Sequence, residues 1–376
     1  MKIGITCYPT YGGSGALATE LGIALADRGH EVHFITYQQP FRLRSFRPRI
    51  YFHEVDVGRY PLFEYPPYDL ALAVRMHEVV LSHRLELLHV HYAIPHATSA
   101  WIAKEMLRKE GGDVPLVTTL HGTDITIVGQ DPSYQSITRF SIEQSDRVTA
   151  VSQYLRDETF RAFGCTGCAV EVIPNFVNPA IFDRTRYGLE LRDQVGVGRK
   201  IVMHVSNFRP VKRVLDVVRA FARIAATVDS VLVLVGDGPD RTEAEEEAAR
   251  LGLTDRVLTL GRIDKVAPLL ANADLLLLPT AVESFGLSAL EALASGVPVI
   301  GTDAGGLPEV VTHGETGFLF PVGDHEAMGD AGAALLADPA RWARMSAAAA
   351  ADARARYDED RIVARYEALY RETTGQ

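Results

Sequence analysis

The sequence predicts an α/β protein built from two doubly wound parallel-sheet domains of similar size. Three observations predict it. Short apolar runs alternate with amphipathic stretches of helical spacing, the order that gives parallel strands with crossover helices on both faces. The alternation breaks once, around Pro174 and Pro179 in "IPNFVNPAIF" and the polar "DRTRYGLELRDQVGVGRK" that follows, and then restarts. The distinctive Gly-rich and basic segments fall just after predicted strands, where open α/β sheets bind their ligands.

In the first half "KIGITCY" reads as a buried strand, followed by "GGSG". "ALATELGIALADRG" then has helical spacing and stops at Gly29, a suitable helix C-cap. "EVHFITY", "LLHVHY", "LVTTLHG", "RVTAVS" and "VEVIPNF" are the further strands. In the second half the strands are "KIVMHVSNF", "SVLVLVGDG", "RVLTLG", "DLLLLPT" and "PVIGT". "MSAAAAADARARY" is plain helix by propensity. The expected domains are 1–176 and 177–355, with 356–376 as a closing helix in "DEDRIVARYEALYRE".

The composition, 47% hydrophobic and 23% charged over 376 residues, is that of a globular chain. A net charge of −10 leaves no basic surplus for neutralising phosphates, which disfavours a general nucleic-acid binder and still allows a local basic pocket for a small anion. No apolar run approaches the ~20 residues of a membrane-spanning helix. "MKIGITCYP" lacks a signal-peptide layout, and a cytoplasmic location is expected. Three cysteines suit a reducing compartment. Cys165 and Cys168 of "CTGC" supply half of a structural zinc set and no second pair exists, so a surface turn is expected there.

Gly12 to Gly15 open a helix after the first strand, where backbone amides and the helix dipole suit an anion. "GSGALA" is half of a dinucleotide fingerprint, but the acid required about 20 positions on is missing, which favours a phosphate or acceptor cradle over nicotinamide. "SNFRPVKR" places Arg209, Lys212 and Arg213 on one loop, the cations that a leaving diphosphate requires. His89, His91 and His96 of "HVHYAIPH" lack supporting metal ligands and are expected to be buried or hydrogen-bonded. His121 and Thr123 of "LHGTD" end another strand, as sugar or phosphate contacts or as turn residues. "DED", Asp358 to Asp360, imitates an Asp-x-Asp metal motif, but acids at a helix start need only the helix dipole. In "ESFGLSALE", Glu283 lies in a strand-end loop and Glu291 within the following helix. The amides of Phe285, Gly286 and Leu287 form an anion site at that helix start. Taken alone, Glu291 also fits an ordinary surface glutamate.

These residues resemble the Glu-x7-Glu signature of retaining glycosyltransferases with the GT-B fold, of family 4 type. "GGSG", "RPVKR", "GDGP" and "GVPVIGTDAGGLPEVV" fit as well, and the resemblance covers nearly the whole chain. It implies two Rossmann-like domains facing across a cleft, with the acceptor on the first and a nucleotide sugar on the second. The implied donor contacts are Gly15, Asn207, Arg209, Lys212, Arg213, Gly261, Arg262, Glu283, Ser284, Phe285, Gly286, Leu287 and Glu291. Uracil is expected near Gly261 and Arg262, the diphosphate near Lys212 and Gly286, the sugar at Glu283 and the ribose at Glu291. Lys212, Glu283 and His121 are the expected catalytic group. Many relatives carry Gly-Arg where this chain has Ser206-Asn207, which leaves Arg209 or Arg213 to replace that arginine.

The N-terminal segments "MKIGITCYPTYGGSGALATELG", "HYAIPHA" and "TTLHGTDIT" most resemble family members of bacillithiol biosynthesis. That implies UDP-N-acetylglucosamine as donor and L-malate as acceptor, with no metal and no cofactor. A dicarboxylate needs a cationic pocket, and an Arg fork suits it. Arg139, with Ser14, Tyr92 and Thr123, is the expected acceptor site; the competing reading pairs Arg139 with Glu143 along one helix. Arg42 and Arg44 are next in line. Oligomeric state is open, a homodimer among the options. A UDP-sugar 2-epimerase and a non-catalytic nucleotide-sugar sensor are the rival readings.

Overall fold

The computed structural model describes every residue except Tyr11, Arg44, 59–63, 165–168 and Val197. Cys165, Cys168 and Arg44 therefore lie outside the described residues. The chain forms two compact units, Met1–Asn175 with Asp360–Gln376, and Phe176–Glu359.

The first unit holds a seven-stranded sheet of β1 (Lys2–Thr6), β2 (Glu31–Thr36), β3 (Ile50–Glu54), β4 (Leu87–His91), β5 (Leu116–Leu120), β6 (Arg147–Ala150) and β7 (Val170–Val172). The order is β3-β2-β1-β4-β5-β6-β7 and all pairings are parallel. The second unit holds a six-stranded sheet of β8 (Lys200–Ser206), β9 (Ser230–Gly236), β10 (Val257–Gly261), β11 (Leu275–Leu278), β12 (Val299–Thr302) and β13 (Gly317–Phe320). Its order is β10-β9-β8-β11-β12-β13, again all parallel.

Both sheets therefore have a switch point, between β1 and β4 in one and between β8 and β11 in the other. The crevice at the carboxyl ends of such a strand pair is where a doubly wound sheet holds its ligand. The strands beside these points are buried on both faces, as the continuous apolar runs of β9 and β11 require. The helix Val214–Thr227 shows how the layers close. Val214, Val217, Val218, Phe221 and Ile224 recur at helical spacing, and all are buried with Val202, Leu232 and Leu275 in one core.

The strands β3 and β13 carry no clear signal in the sequence. "IYFHE" lies at a sheet edge, is half-exposed and contains two polar residues, and "GFLF" is short and begins with glycine. The helix Pro339–Tyr357 runs past position 355, so the second unit extends to Glu359. The last helix, Glu359–Thr374, then returns to the first unit, where Tyr366 and Tyr370 are wholly buried. Arg28 holds it there through Asp360 at 2.9 Å and Glu367 at 3.1 Å. One acid of "DED" is thus paired with an arginine within the fold. No helix among the described residues is long and apolar enough to cross a membrane.

Buried histidines make this fold sensitive to acid. His89 lies between the Tyr370 hydroxyl and the Thr119 hydroxyl, 2.7 Å from each, so both ring nitrogens are occupied. Burial pushes His89 down to about 3, and His96 and His204 down to about 4. Each is depressed in the fold, so its contribution is present above the unfolded value near 6.5 and is lost as pH falls toward 4. At pH 5 that is about 2 kcal/mol for each fully buried ring. Asp124 acts in the opposite sense, since burial raises it to about 6, but the depressed histidines outweigh it. The melting temperature is expected to fall markedly between pH 7.5 and pH 5 in scanning calorimetry; a flat or rising profile contradicts this account.

Candidate active site

On the first unit a candidate site lies at the β1–β4 switch point. After β1 the chain enters the helix Gly13–Asp27, with Ser14 and the buried Gly15 in its first turn. After β4 comes Tyr92, whose backbone takes φ 92°, a left-handed conformation that costs a bulky residue on the order of 1–3 kcal/mol. The conformation brings the Tyr92 hydroxyl within 3.0 Å of the Ser14 hydroxyl, and Thr123 bonds to the same hydroxyl. Burial pushes that phenol up to about 12, so it is a neutral hydrogen-bonding group. The ring of Tyr8 packs edge-on against it at 5.1 Å.

Asp124 joins the loops after β4 and β5. Its carboxylate accepts the Ala93 and Gly122 amides, each at 2.9 Å. Beside it, His121 Nε2 meets His91 Nδ1 at 2.8 Å, and the His121 ring lies 5.4 Å from that of Tyr92. Burial pushes His121 down to about 3, so its imidazole is neutral. The Nε2 atoms of His91 and His96 are buried without a hydrogen-bond partner. Such atoms are costly in a finished interior and are satisfied when a polar ligand arrives.

Ser14, Tyr92, Thr123 and His121 are therefore brought together. Arg139 has a different partner: its Nε donates to Glu143 at 2.8 Å along the helix Gln135–Glu143, the competing arrangement for this residue. Arg42 is ion-paired with Glu20 at 3.1 Å.

On the second unit a separate candidate site lies at the β8–β11 switch point. The Val211 carbonyl, in the turn after β8, accepts the Ala281 amide at 2.8 Å and the Thr280 hydroxyl at 3.1 Å, both just beyond β11. This tether sets Lys212 beside Glu283, Nζ to Oε2 at 2.6 Å, with side chains only 20% and 14% exposed. A pair so shielded interacts more strongly than a surface pair, and removing one partner leaves an uncompensated charge. The Glu283 carbonyl in turn accepts the Gly306 amide at 2.7 Å. A Cβ at Gly305, whose φ is 65°, would lie 2.1 Å from that carbonyl. Gly286, at φ 100°, then turns the chain into the helix Leu287–Ala294. Phe285 anchors this loop, being buried with its ring edge-on to Tyr357 at 5.6 Å, and Ser284 and Leu287 are half-buried beside it.

Glu291 is only 5% exposed, which overturns the surface-glutamate reading. Asn207 follows β8 with its Oδ1 buried and without a hydrogen-bond partner, an amide that offers either donors or an acceptor to a ligand. Arg213 is ion-paired with the buried carboxylate of Asp216 at 2.6 Å, three residues on. Arg209 is exposed and has no ion pair among the described residues. Gly261 ends β10, and Arg262 projects from it, 64% exposed and 3.9 Å from Asp237.

Sequence reading missed the contribution of Gly305 and Gly306, of Asp124, and of His204 with Ser206. Their signals were present as "DAGG" after a strand, an acid after "HGT", and a polar residue closing an apolar strand. His204 is fixed by the Leu277 carbonyl and the Ser206 hydroxyl, both at 2.8 Å.

The chain matches the model described as "Glycosyltransferase Family 4" over residues 11–181, and that described as "Glycosyl transferases group 1" over residues 190–352. Two parallel Rossmann-like units with these matches define the chain as a GT-B glycosyltransferase, and it belongs to glycosyltransferase family 4. It is 50% identical over 372 residues to the N-acetyl-alpha-D-glucosaminyl L-malate synthase of Bacillus anthracis, covering 98% of this chain and 96% of that one. It is also 33% identical over 290 residues to a GDP-mannose-dependent alpha-(1-6)-phosphatidylinositol monomannoside mannosyltransferase of Mycobacterium tuberculosis, covering 73% of each. Among solved structures, the sucrose-phosphate synthase of Thermosynechococcus elongatus shares the fold, with TM-score 0.80 at 24% identity over 99% of this chain and 98% of that one. Anabaena Alr3699/HepE in complex with UDP-glucose does so with TM-score 0.79 at 24% identity, over 98% and 99%.

Charge on a departing diphosphate grows in the transition state, so a positioned cation acts mainly on turnover. Lys212→Ala is expected to lower kcat by roughly a hundredfold or more while weakening UDP binding far less. A near-normal kcat with only a raised KM in steady-state kinetics contradicts that role.

Proposed function

We propose that this chain transfers N-acetylglucosamine from UDP-N-acetylglucosamine to the hydroxyl of L-malate, with retention at the anomeric carbon, as the first step of bacillithiol biosynthesis. The observation that carries the reading is the 50% identity to the Bacillus anthracis synthase across nearly the full length of both chains. The mannosyltransferase match is lower and covers less of the chain.

The donor belongs to the second unit in this reading. Uracil lies near Gly261 and Arg262, the ribose at Glu291, and the diphosphate against Lys212, Arg209, Asn207 and the amides at Gly286. Glu283 orients Lys212 with one carboxylate oxygen and accepts sugar hydroxyls with the other. The acceptor belongs to the first unit. Malate takes hydrogen bonds from Ser14, Tyr92 and Thr123, and Arg139 exchanges Glu143 for a malate carboxylate. Neutral His121 adds a hydrogen-bonding imidazole beside Tyr92 in that acceptor group. The bond from the anomeric carbon to UDP breaks, the bond to the malate hydroxyl oxygen forms on the same face, and the hydroxyl proton passes to the departing phosphate oxygen. A pair of carboxylates acting as in glycosidases is not required. Cationic groups take the part a metal would otherwise play, so catalysis proceeds without one.

UDP release from UDP-N-acetylglucosamine, measured with and without malate, tests the reading. Release only with malate, undiminished in excess chelator at 25 °C, is the expected result. Consumption or isomerisation of the nucleotide sugar without malate, or binding without turnover, contradicts it. A loss in chelator that magnesium or manganese alone restores contradicts the metal-independent step.

A further inference from the structure

On the first unit, away from the switch point, three histidines converge. The strands β2 and β3 pair in parallel with His33 opposite Tyr51 and Ile35 opposite His53. His33, Tyr51 and His53 thus share one face of the sheet edge. The helix Tyr68–His83 packs on β2 and ends with His83. The His33 ring lies 4.7 Å from that of His83, and the His53 ring 4.8 Å from it. One ligand nitrogen from each of the three lies within 4.8 Å of the others.

The local hydrogen bonds orient these nitrogens. Glu31, held by Lys2 at 3.0 Å, accepts the Nε2–H of His33 at 3.0 Å. That bond fixes the tautomer and leaves the Nδ1 lone pair directed at His53 Nε2, 2.9 Å away. A carboxylate gripping the far nitrogen of an imidazole is the usual support of a metal-bound histidine. Carbonyls at the end of the helix add negative potential beside His83. Arg75 of the same helix, ion-paired with Glu78 at 3.0 Å, still acts on His53 as a like charge and works against a bound cation.

We propose that His33, His53 and His83 form a three-histidine site for a divalent transition-metal ion, Zn²⁺ foremost, with water in the fourth position. Imidazole suits Zn²⁺ and its neighbours in the first row, whereas Mg²⁺ and Ca²⁺ demand oxygen. Zn–N bonds of roughly 2.0–2.1 Å place tetrahedral nitrogens roughly 3.3 Å apart. The His33–His53 pair must therefore open by a few tenths of an ångström, while the widest separation closes by about 1.5 Å. His53 and His83 are half-buried, so both can turn and solvent can reach the ion, whereas His33 is wholly buried and fixed. On binding, His53 carries its proton on Nδ1 instead of Nε2, and the His–His hydrogen bond is replaced by two metal bonds. The ion ties the edge strand β3 and the end of the helix to β2. Its role is to brace this sheet edge and is separate from sugar transfer.

The test uses the full chain stripped of metal, then titrated with Zn²⁺ alone by calorimetry and followed by thermal unfolding. The wild type is expected to take one equivalent per chain with micromolar or tighter affinity, and to gain roughly 5 °C in Tm at saturation. His53→Gln and His83→Gln, both at half-buried positions, are each expected to weaken binding at least tenfold and to abolish the Tm gain. Absence of stoichiometric binding overturns the proposal. So does retention of wild-type affinity, or a loss smaller than tenfold, in either variant, because the ion then sits elsewhere or the cluster is only a packed aromatic stack.

Discussion

The ion pair between Lys212 and Glu283 is the constraint around which the second unit is organised. The two residues are 71 positions apart, and they meet because β8 and β11 are neighbours at the switch point. Burying two charges is costly, and a shielded pair of this kind contributes little net stability compared with apolar packing. What it supplies is a cation held in one place before the substrate arrives, which is what electrostatic stabilisation of a leaving diphosphate needs. The surrounding details serve that placement. The Val211 carbonyl tethers one loop, the Gly306 amide holds the other, and Gly305 and Gly286 permit the close approach and the turn into the helix.

The first unit uses the same topology with different chemistry. Its switch point gathers hydroxyls and imidazoles that burial keeps neutral: the Tyr92 phenol is raised and His121 lowered, away from the physiological range in each case. Neutral groups give hydrogen bonds without charge, which suits the orientation of a hydroxyl acceptor, and an anionic acceptor then needs a cation from elsewhere in the unit. The strained backbone at Tyr92 and the buried, partnerless nitrogens of His91 and His96 are both located here. Such features occur elsewhere in the chain too, but here they coincide with the switch point at which a doubly wound sheet holds its ligand.

Much of this was legible in the sequence because it is local. Strand-then-glycine and strand-then-basic segments reveal where a doubly wound sheet presents its loops, and "GGSG", "RPVKR" and "ESFG" all fell at strand ends. What was not legible depends on distant partners. Nothing within "ESFGLSALE" says that Glu291 is buried, since that depends on what packs against its helix. Edge strands such as β3 lack the two-sided burial that makes an apolar run conspicuous. The convergence of His33, His53 and His83 requires the register of β2 on β3 and the end point of a helix, neither of which a linear motif encodes. The Asp216 that engages Arg213 stood only three residues away, in the first turn of a helix, and was readable as a local salt bridge.

The account depends most on Lys212 and Glu283 acting as one unit in transfer. A double-mutant cycle on kcat/KM, comparing Lys212→Ala, Glu283→Gln and the double variant, measures this directly. The structure predicts strong non-additivity, with the double variant little worse than the poorer single one, because either change already dismantles the pair. Additive losses would mean that lysine and glutamate serve the reaction independently, and would contradict the account.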